Sequence, residues 1–231
     1  MDYQREYIEK NSDLHNSDVS SKVSVINRLL PKIPIKIDSV VDVACGSGKI
    51  LLEITKGLDI KKSMGIDISK NMIEVAKTND LEKIVEWIND DVYQVQRSDF
   101  DLVLAVDILE HIEKDIVLLN HIKKLGRFVI LKVPIEKNIL NNLIKILSFG
   151  YVDEQKYTEL KYGHIHHYSE KDIDKLIEGS NLRILFKEYV HLPKRSKLLW
   201  EILRIIFFPI WYVSRSFYLK FNGGFLVLLL S

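Results

Sequence analysis

The stretch that decides the fold is Val40-Val41-Asp42-Val43-Ala44-Cys45-Gly46-Ser47-Gly48-Lys49-Ile50. The β-branched run from Ser39 to Val43 predicts a short buried strand, and small residues and glycines follow it directly. Apolar residues then return with helical spacing, at Ile50, Leu51 and Ile54. The pattern predicts a strand, a tight turn and the start of a helix. A ligand can approach the backbone closely at such a turn, and the helix end supplies unpaired N–H groups.

The spacing of the glycines separates the ligand classes that use this geometry. A phosphate-binding P-loop would need a glycine where Val43 stands and a serine or threonine where Ile50 stands. A dinucleotide-binding fingerprint would need a third small residue where Leu51 stands. The stretch therefore fits neither class, and it places an acid, Asp42, at the end of the strand.

An acid followed by Ala-x-Gly-x-Gly resembles motif I of the class I S-adenosylmethionine-dependent methyltransferases, whose usual form is Asp or Glu and then Gly-x-Gly-x-Gly. Ala44 replaces the first glycine of that motif. The replacement keeps a small residue there, and it becomes a problem if the backbone needs a positive φ at this position. The alternative at this point is an ordinary glycine-containing turn between a strand and a helix.

Composition sets the limits within which the motif is interpreted. The chain has 231 residues, of which 47% are hydrophobic and 28% charged, enough for one substantial α/β domain. Its net charge of +1 gives no electrostatic footprint for nucleic acid. The single cysteine, Cys45, excludes an internal disulfide and a cysteine-based zinc cluster, and we interpret it as a packing residue. The polar N-terminus shows no secretory signal, so we expect a cytoplasmic location.

Residues 1–37 are predicted to form an N-terminal helical cap. Asp18 is placed to cap an amphipathic helix that Pro31 ends, with its apolar residues at Val19, Val23, Ile26, Leu29 and Leu30. The segment from Asn11 to Lys22, which contains His15, loosely resembles the N-terminal stretch of one bacterial branch of these methyltransferases. A solvated helix entry is the alternative interpretation.

Two further strands each end in acids. Met64–Ile68 predicts the second strand, and Asp67 lies 19 residues beyond Gly48. That distance places its carboxylate at the carboxyl edge of the sheet, where it can accept both ribose hydroxyls of an adenosine. Ser69 is the predicted cap of the following helix. The third strand, Ile84–Ile88, precedes Asp90 and Asp91, and Asp91 matches the family's acid that faces the adenine amino group.

The fourth strand, Phe100–Val106, leads into Asp107-Ile108-Leu109-Glu110-His111-Ile112, which resembles motif IV with its common Leu-Glu-His ending. Four motifs in the family's order are far more specific than any one of them. The resemblance implies an α/β, doubly wound, Rossmann-like sheet of seven strands in order 3-2-1-4-5-7-6, with the last strand antiparallel. It implies S-adenosyl-L-methionine as cofactor, bound by Asp42, Ala44, Cys45, Gly46, Gly48, Asp67, Ile68, Met72, Asp91, Val92 and Val106.

The remaining sequence completes the predicted domain, residues 38–231. A fifth strand, Phe128–Val133, closes at Pro134. A substrate-side insertion, 138–168, begins with a helical run, Ile139–Leu147, and continues as polar aromatic sequence. Ser169 and Asp172 open a helix that ends at Gly179. Leu182–Val190 and Gly224–Leu230 are the last two strands.

Methyl transfer to a hydroxyl needs in-line positioning and removal of a proton. His111 is the candidate base nearest in sequence to the cofactor, with Glu110 and His166 as further catalytic candidates. The alternative is that Glu110 and His111 only orient the helix start and the cofactor.

A second hypothesis joins Asp107, Glu110 and His111 with His164, or with His166 or His167, in a divalent metal site. Related acid-x-x-Glu-His patterns occur in ubiquinone-type O-methyltransferases and in small-RNA 2′-hydroxyl methyltransferases. Here the first acid is the shorter Asp107, and ligand types alone do not establish a site. A metal-free site is therefore the leading expectation, with the segment from His164 to His167 as a wall of the substrate pocket.

The second insertion, residues 194–220, is densely apolar and carries six basic residues against one acid, a local charge of 6 − 1 = +5. Glu201, Arg204 and Pro209 interrupt it, so it is not a membrane span. Lys197, Glu201 and Arg204 form a polar stripe at helical spacing. Three interpretations remain open: a lid over the substrate pocket, a homodimer face, or a peripheral contact with an anionic membrane surface.

The expected function is methyl transfer to a small-molecule, glycan or lipid-linked acceptor. The competing class is a non-catalytic module that binds adenosine or S-adenosylmethionine, or a partner subunit. An acceptor site separates the two classes. Glu110, His111 and the histidine-rich segment favour catalysis.

Overall fold

A computed structural model describes residues 18–191, 202 and 205–231. The predictions made for His15 and for the stripe of Lys197, Glu201 and Arg204 lie outside the described residues.

The chain folds around a seven-stranded sheet in the order β3-β2-β1-β4-β5-β7-β6, which confirms the predicted order. Strands β1 to β5 pair in parallel, and β7 runs antiparallel between β5 and β6. The strands are β1 (Ser39–Val43), β2 (Lys62–Asp67), β3 (Glu86–Asn89), β4 (Phe100–Val106), β5 (Gly126–Ile135), β6 (Ile184–Val190) and β7 (Gly224–Leu230).

Helices cover both faces of the sheet. They are α1 (Val19–Leu29), α2 (Lys49–Leu58), α3 (Lys70–Asn79), α4 (Asp115–Leu125), α5 (Ile139–Leu147), α6 (Glu154–Tyr162), α7 (Glu170–Glu178), α8 (Pro209–Val213) and α9 (Arg215–Asn222). Short 3-10 turns lie at Leu30–Lys32, Val92–Gln94 and Leu109–His111. Ser69 and Ser169 cap α3 and α7 as predicted, the latter through a capping box with Asp172.

The core consists of two apolar layers, because residues of a central strand alternate between the two faces of the sheet. Val41 and Val43 pack with α4 on one face, whereas Val40 packs with α1 and α2 on the other. All three valines are fully buried. Full burial of such a side chain contributes roughly 1.5–3 kcal/mol, so the strand that precedes the glycine turn is firmly held.

Strands β2, β3, β5 and β6 differ from their predicted bounds by one or two residues at their ends, and one predicted helix cap was wrong. Asp18 stands at the N-cap position of α1, but its side chain makes no capping hydrogen bond and instead pairs with Lys22, one turn later, at 3.0 Å. Strand β5 does not close at Pro134 but continues to Ile135. Beyond Lys132, β4 no longer pairs with it and β7 is its one partner strand, so Pro134 lies where proline is tolerated in a sheet.

The insertion 138–168 contains a second helix, α6, that the sequence analysis missed. No residue of α6 is buried, so it lacks the apolar periodicity that reveals a helix. Its end signals are nevertheless present in the sequence. Asp153 accepts the N–H groups of Gln155 and Lys156, and Gly163 ends the helix in the left-handed conformation.

Candidate functional site

The turn after β1 is built from three residues with left-handed backbone. Ala44, Gly46 and Gly48 have φ values of +57°, +54° and +74°. The turn is closed by hydrogen bonds from the Cys45 N–H to the Ile66 carbonyl (3.0 Å) and from the Gly48 N–H to the Cys45 carbonyl (2.9 Å). Ala44 therefore does occupy the positive-φ position at which a glycine is preferred, and the left-handed backbone costs an L-residue roughly 1–2 kcal/mol.

The two glycines of the turn serve different purposes. A Cβ added at Gly46 would meet no atom within 4 Å, so the backbone there faces open space that a ligand can enter. A Cβ at Gly48 would lie 2.3 Å from the Trp87 ring. Trp87 is fixed by a hydrogen bond from its indole N–H to Asp80 (3.0 Å). Gly48 is thus required for close packing, and Gly46 leaves the approach open.

Asp67 lies at the carboxyl end of β2, beside this turn. Its carboxylate accepts the N–H groups of Gly46 (2.9 Å) and Ser69 (2.8 Å), which fix its orientation. Burial raises the pKa of Asp67, although these two hydrogen bonds oppose the shift. The structure therefore brings Asp67 and the glycine turn together, as the spacing predicted.

Asp42, at the end of β1, is 2% exposed. Burial, together with the charge of Asp67, raises the pKa of Asp42 to about 8, and the charge of Lys22 partly opposes this. The carboxyl group of Asp42 is therefore protonated at neutral pH and is able to donate a hydrogen bond. Burial also raises the pKa of the Cys45 thiol, which agrees with its interpretation as a packing residue.

The end of β3 is tied to the end of β2 by a residue that sequence reasoning missed. The side-chain amide of Asn89 donates to the carbonyl oxygens of Asp67 (3.0 Å) and Ile68 (2.9 Å). Asp91 accepts the Tyr93 N–H (3.0 Å) and caps the 3-10 turn Val92–Gln94. Among the other predicted cofactor residues, Met72, Val92 and Val106 are buried, whereas Ile68 is 67% exposed beside Asp67.

Asp107, which follows β4, is part of a buried ion-pair group. Its carboxylate pairs with Lys22 of α1 (3.0 Å) and with Lys132 of β5, and each lysine is 8% exposed. Burial alone would raise the pKa of Asp107, but the charges of Lys132 and Lys22 outweigh it and hold the pKa well below its usual range. Asp107 thus forms ion pairs with two lysines. It does not lie with Glu110 and His111 in a common set of ligands, as the metal hypothesis required.

Glu110 and His111 occupy the 3-10 turn after Asp107. Glu110 is 1% exposed, and its Oε2 has no hydrogen-bond partner among the described residues. Burial, followed by the charge of Asp107, raises the pKa of Glu110 well above its usual value. The His111 Nδ1 lies 3.3 Å from the Gly163 carbonyl, and its ring meets the His164 ring edge-on at 5.0 Å between centroids.

Glu136, just beyond β5, links two of the predicted histidines. Its Oε1 lies 3.0 Å from the His164 Nδ1, and its Oε2 lies 2.6 Å from the His167 Nδ1. A carboxylate only accepts, so we assign the proton of each neutral ring to Nδ1, which leaves the lone pair on Nε2. Burial would raise the pKa of Glu136, but hydrogen bonds from His164 and His167 outweigh it and lower the pKa.

The histidine segment is held against motif IV by its backbone. The N–H groups of Ile165 (2.9 Å) and His166 (3.1 Å) both donate to the Glu110 carbonyl. The His166 ring lies elsewhere, with its Nε2 3.2 Å from the Glu113 carbonyl. The structure therefore places His164 rather than His166 against His111, and the catalytic role of His166 stays a prediction.

Two overlapping groups have metal-ligand chemistry. Single ligand atoms of Glu110, His111 and His164 lie within 4.8 Å of one another, and the same holds for Glu136, His164 and His167. Both sets join one carboxylate with two imidazoles, which suits a divalent transition metal. Asp107 belongs to neither set.

Comparison with known proteins finds a family match for part of the chain and similar folds for most of it. Residues 40–127 match the family described as "Methyltransferase domain". A S-adenosylmethionine-dependent methyltransferase from Archaeoglobus fulgidus has a similar structure, with a TM-score of 0.61 at 19% identity over 99% of both chains. Magnesium protoporphyrin IX methyltransferase from Synechocystis with bound S-adenosylhomocysteine has a TM-score of 0.60 at 18% identity, over 96% of this chain and 85% of that one.

A S-adenosylmethionine-dependent methyltransferase from Mesorhizobium loti is also similar, with a TM-score of 0.61 at 14% identity over 90% of this chain and 95% of that one. No protein with a curated function matches the sequence. The match over residues 40–127, together with the sheet order and the glycine turn, shows that the chain has the Rossmann-like fold of the class I S-adenosylmethionine-dependent methyltransferases.

Proposed function

We propose that this methyltransferase acts on a hydroxyl group of a small-molecule, glycan or lipid-linked acceptor. The observation that carries the proposal is Glu136, whose two oxygens hold the Nδ1 atoms of His164 and His167. A hydroxyl must lose its proton as it accepts a methyl group, and imidazoles oriented by a carboxylate are suited to take that proton.

The cofactor fits the residues that would hold it. Gly46 leaves open space above the turn, and Asp67 presents a carboxylate already anchored by two backbone N–H groups. When bound, S-adenosylmethionine supplies a methyl group on a positively charged sulfur. Asp67 would accept hydrogen bonds from the ribose hydroxyls, and Asp42 lies on the neighbouring strand, near the end of β1.

The acceptor side is linked to the cofactor side by a series of ionisable groups. The positive charge of Lys22 lowers the pKa of both Asp42 and Asp107, and the negative charge of Asp107 raises the pKa of Glu110. Glu110 in turn holds the backbone of the histidine segment. We assign proton removal to His111 or His164, whose rings are in contact, and orientation of His164 and His167 to Glu136.

A matched pair of variants tests this assignment with methyl-labelled S-adenosylmethionine. The acceptor panel contains phenols, soluble glycans and polyprenyl-linked sugars. Glu136→Gln keeps the size of the side chain but removes its charge, and we expect turnover to fall by roughly 10²–10⁴-fold, the usual contribution of acid–base groups. Glu82→Gln, at a 62% exposed side chain, is the control and should keep full activity.

Binding of S-adenosylhomocysteine is measured on the same variants, because it separates the two function classes. The proposal expects unchanged binding in Glu136→Gln together with lost turnover. Tight binding by the wild type without label transfer to any panel member would favour the alternative, a non-catalytic cofactor-binding module. Full turnover in Glu136→Gln would remove the role given to Glu136.

A second candidate is a metal-assisted form of the same reaction, favoured by the unpartnered, buried Oε2 of Glu110. Glu110, His111 and His164 would supply the ligands, and the metal would orient an acceptor hydroxyl and lower its pKa. Calorimetric titration with Mn²⁺ tests this without an acceptor. Binding that is lost in Glu110→Gln supports the site, and no binding at millimolar Mn²⁺ rejects it.

A further inference from the structure

The two insertions expose an unusually large amount of apolar side chain. In α5, Leu140 is the one buried residue. Ile139, Leu143 and Ile146 follow one another at i, i+4 and i+7 on one helix face, with exposed fractions of 43%, 46% and 71%. A helix that only packs on the core buries its apolar face, whereas this helix exposes an apolar face to solvent.

The turn after α5 presents two aromatic rings to the outside. Phe149 and Tyr151 are each 93% exposed. Phe149 has a φ of +51°, a conformation that bulky residues rarely adopt, and Gly150 has a φ of +84°. The turn is nevertheless well defined, because the Gly150 N–H donates to the Lys145 carbonyl at 2.8 Å. Strained backbone that displays an aromatic ring points to a binding role.

The second insertion continues this surface. Helix α9 packs against α5. On α8 and α9, Tyr212, Val213 and Phe217 are exposed by 80%, 87% and 49%. Residues 205–222 contain no acid and include Arg215 and Lys220. The Arg215 guanidinium lies 5.4 Å from the Trp211 ring centroid, at the edge of the apolar surface.

We propose that the exposed faces of α5, its aromatic turn, α8 and α9 form one surface that binds an anionic lipid bilayer. Apolar and aromatic side chains with basic residues at their edges are the pattern of proteins that lie on such a bilayer. No helix among the described residues is both long and apolar enough to cross it. The contact is therefore peripheral.

Charge favours a bilayer over a second copy of the chain. The described residues 205–222 carry a net charge of +2, from Arg215 and Lys220, in a protein whose total is +1. A symmetric dimer through this surface would bring two such patches face to face, whereas an anionic bilayer is complementary to them.

The surface is also placed where a lipid-linked acceptor would need it. The segment that contains α5 and α6 begins just after Glu136 and ends at Gly163, whose carbonyl contacts His111. Binding to a bilayer would hold the histidine site at the lipid surface. This last step rests on the proposed function, but the bilayer contact itself does not.

Sedimentation of the full chain with vesicles tests the contact. The probes are phosphatidylcholine vesicles with and without 30% phosphatidylglycerol, at low and high salt, where the Debye length is about 30 Å and about 8 Å. The test variant is Phe149→Ser/Tyr151→Ser. The control is Leu81→Ser, which removes an 88% exposed leucine outside both insertions.

We expect the wild type and Leu81→Ser to pellet with anionic vesicles at low salt and to be released by high salt. The affinity of the double variant for vesicles should be roughly tenfold or more weaker, because it lacks the two aromatic rings that are removed from water on binding. S-adenosylhomocysteine binding, measured on every variant, reports folding and the cofactor site separately. The proposal is overturned if the wild type stays in the supernatant, or if the double variant pellets like the wild type. A dimer that the double variant dissociates would assign the surface to self-association instead.

Discussion

Asp107→Asn should destabilise the protein strongly, because Asp107 is the shared partner of two buried lysines. Lys22 and Lys132 are each 8% exposed. Removing one partner of a buried ion pair costs about 3–5 kcal/mol, since the remaining charge stays out of water. Lys22 keeps Asp18 at 3.0 Å, and Lys132 keeps the Phe225 ring at 3.8 Å. We therefore expect the free energy of unfolding to fall by an amount near the lower end of this range, about 3 kcal/mol.

Asparagine is the informative replacement because Asp107 has a φ of +54°, which asparagine adopts at a lower cost than alanine. The loss is read from urea unfolding at pH 7. Asp99→Asn removes an exposed partner of Lys62 and should leave the free energy of unfolding almost unchanged. A loss in Asp107→Asn no larger than in Asp99→Asn would refute the reasoning. The pKa of Asp107 is held low, so the wild-type advantage should be present at neutral pH and disappear as pH falls through the acid range.

Three further changes concern the turn after β1. Ala44→Gly should raise the free energy of unfolding, measured in urea, by about 0.5–1 kcal/mol, because relief of the left-handed alanine outweighs the greater flexibility of the unfolded chain. A loss of stability would contradict the inferred backbone strain at Ala44. Gly48→Ala should lower the free energy of unfolding by about 2–4 kcal/mol, because the new Cβ would overlap Trp87 and the residue has a φ of +74°. Gly57→Ala is the control and should not destabilise α2, because no atom lies near its Cβ. Asp42 has a folded-state pKa of about 8, so its contribution to stability falls as pH rises, by about 1.4 kcal/mol per pH unit between roughly pH 4 and 8. Asp42→Asn should remove that slope, and its gain in melting temperature over the wild type should be larger at pH 8 than at pH 5; equal gains would mean that Asp42 keeps an ordinary pKa.

The elements with strong local signals were predictable from the sequence. Strands β1, β4 and β7 have the predicted bounds, because their β-branched and apolar runs are continuous and flanked by turn residues. Helix α6 was missed, since none of its residues is buried. The end of β5 was placed too early because Pro134 is tolerated where a neighbouring strand has already ended, and that depends on the sheet rather than on local sequence.

The candidate site was predictable where it follows the ends of neighbouring strands. Asp42, Gly46 and Asp67 meet because parallel strands bring their carboxyl ends to one edge. The acceptor side was not predictable in the same way. Glu136 and His164 lie on either side of the segment that contains α5 and α6, and no periodic pattern relates the two positions. The pairing of Lys22 with Asp107 likewise depends on how α1 packs on the sheet.

Calorimetric titration with S-adenosylhomocysteine, on the wild type and on Asp67→Ala, tests the central claim most directly. The carboxylate of Asp67 stands at the glycine turn and is oriented by the Gly46 and Ser69 N–H groups. We predict saturable binding by the wild type and an affinity at least roughly tenfold weaker in Asp67→Ala, since hydrogen bonds to a charged group contribute about 1.5–3 kcal/mol. Binding that is undetectable in the wild type, or equal in the two proteins, would contradict the assignment of this edge of the sheet as the cofactor site.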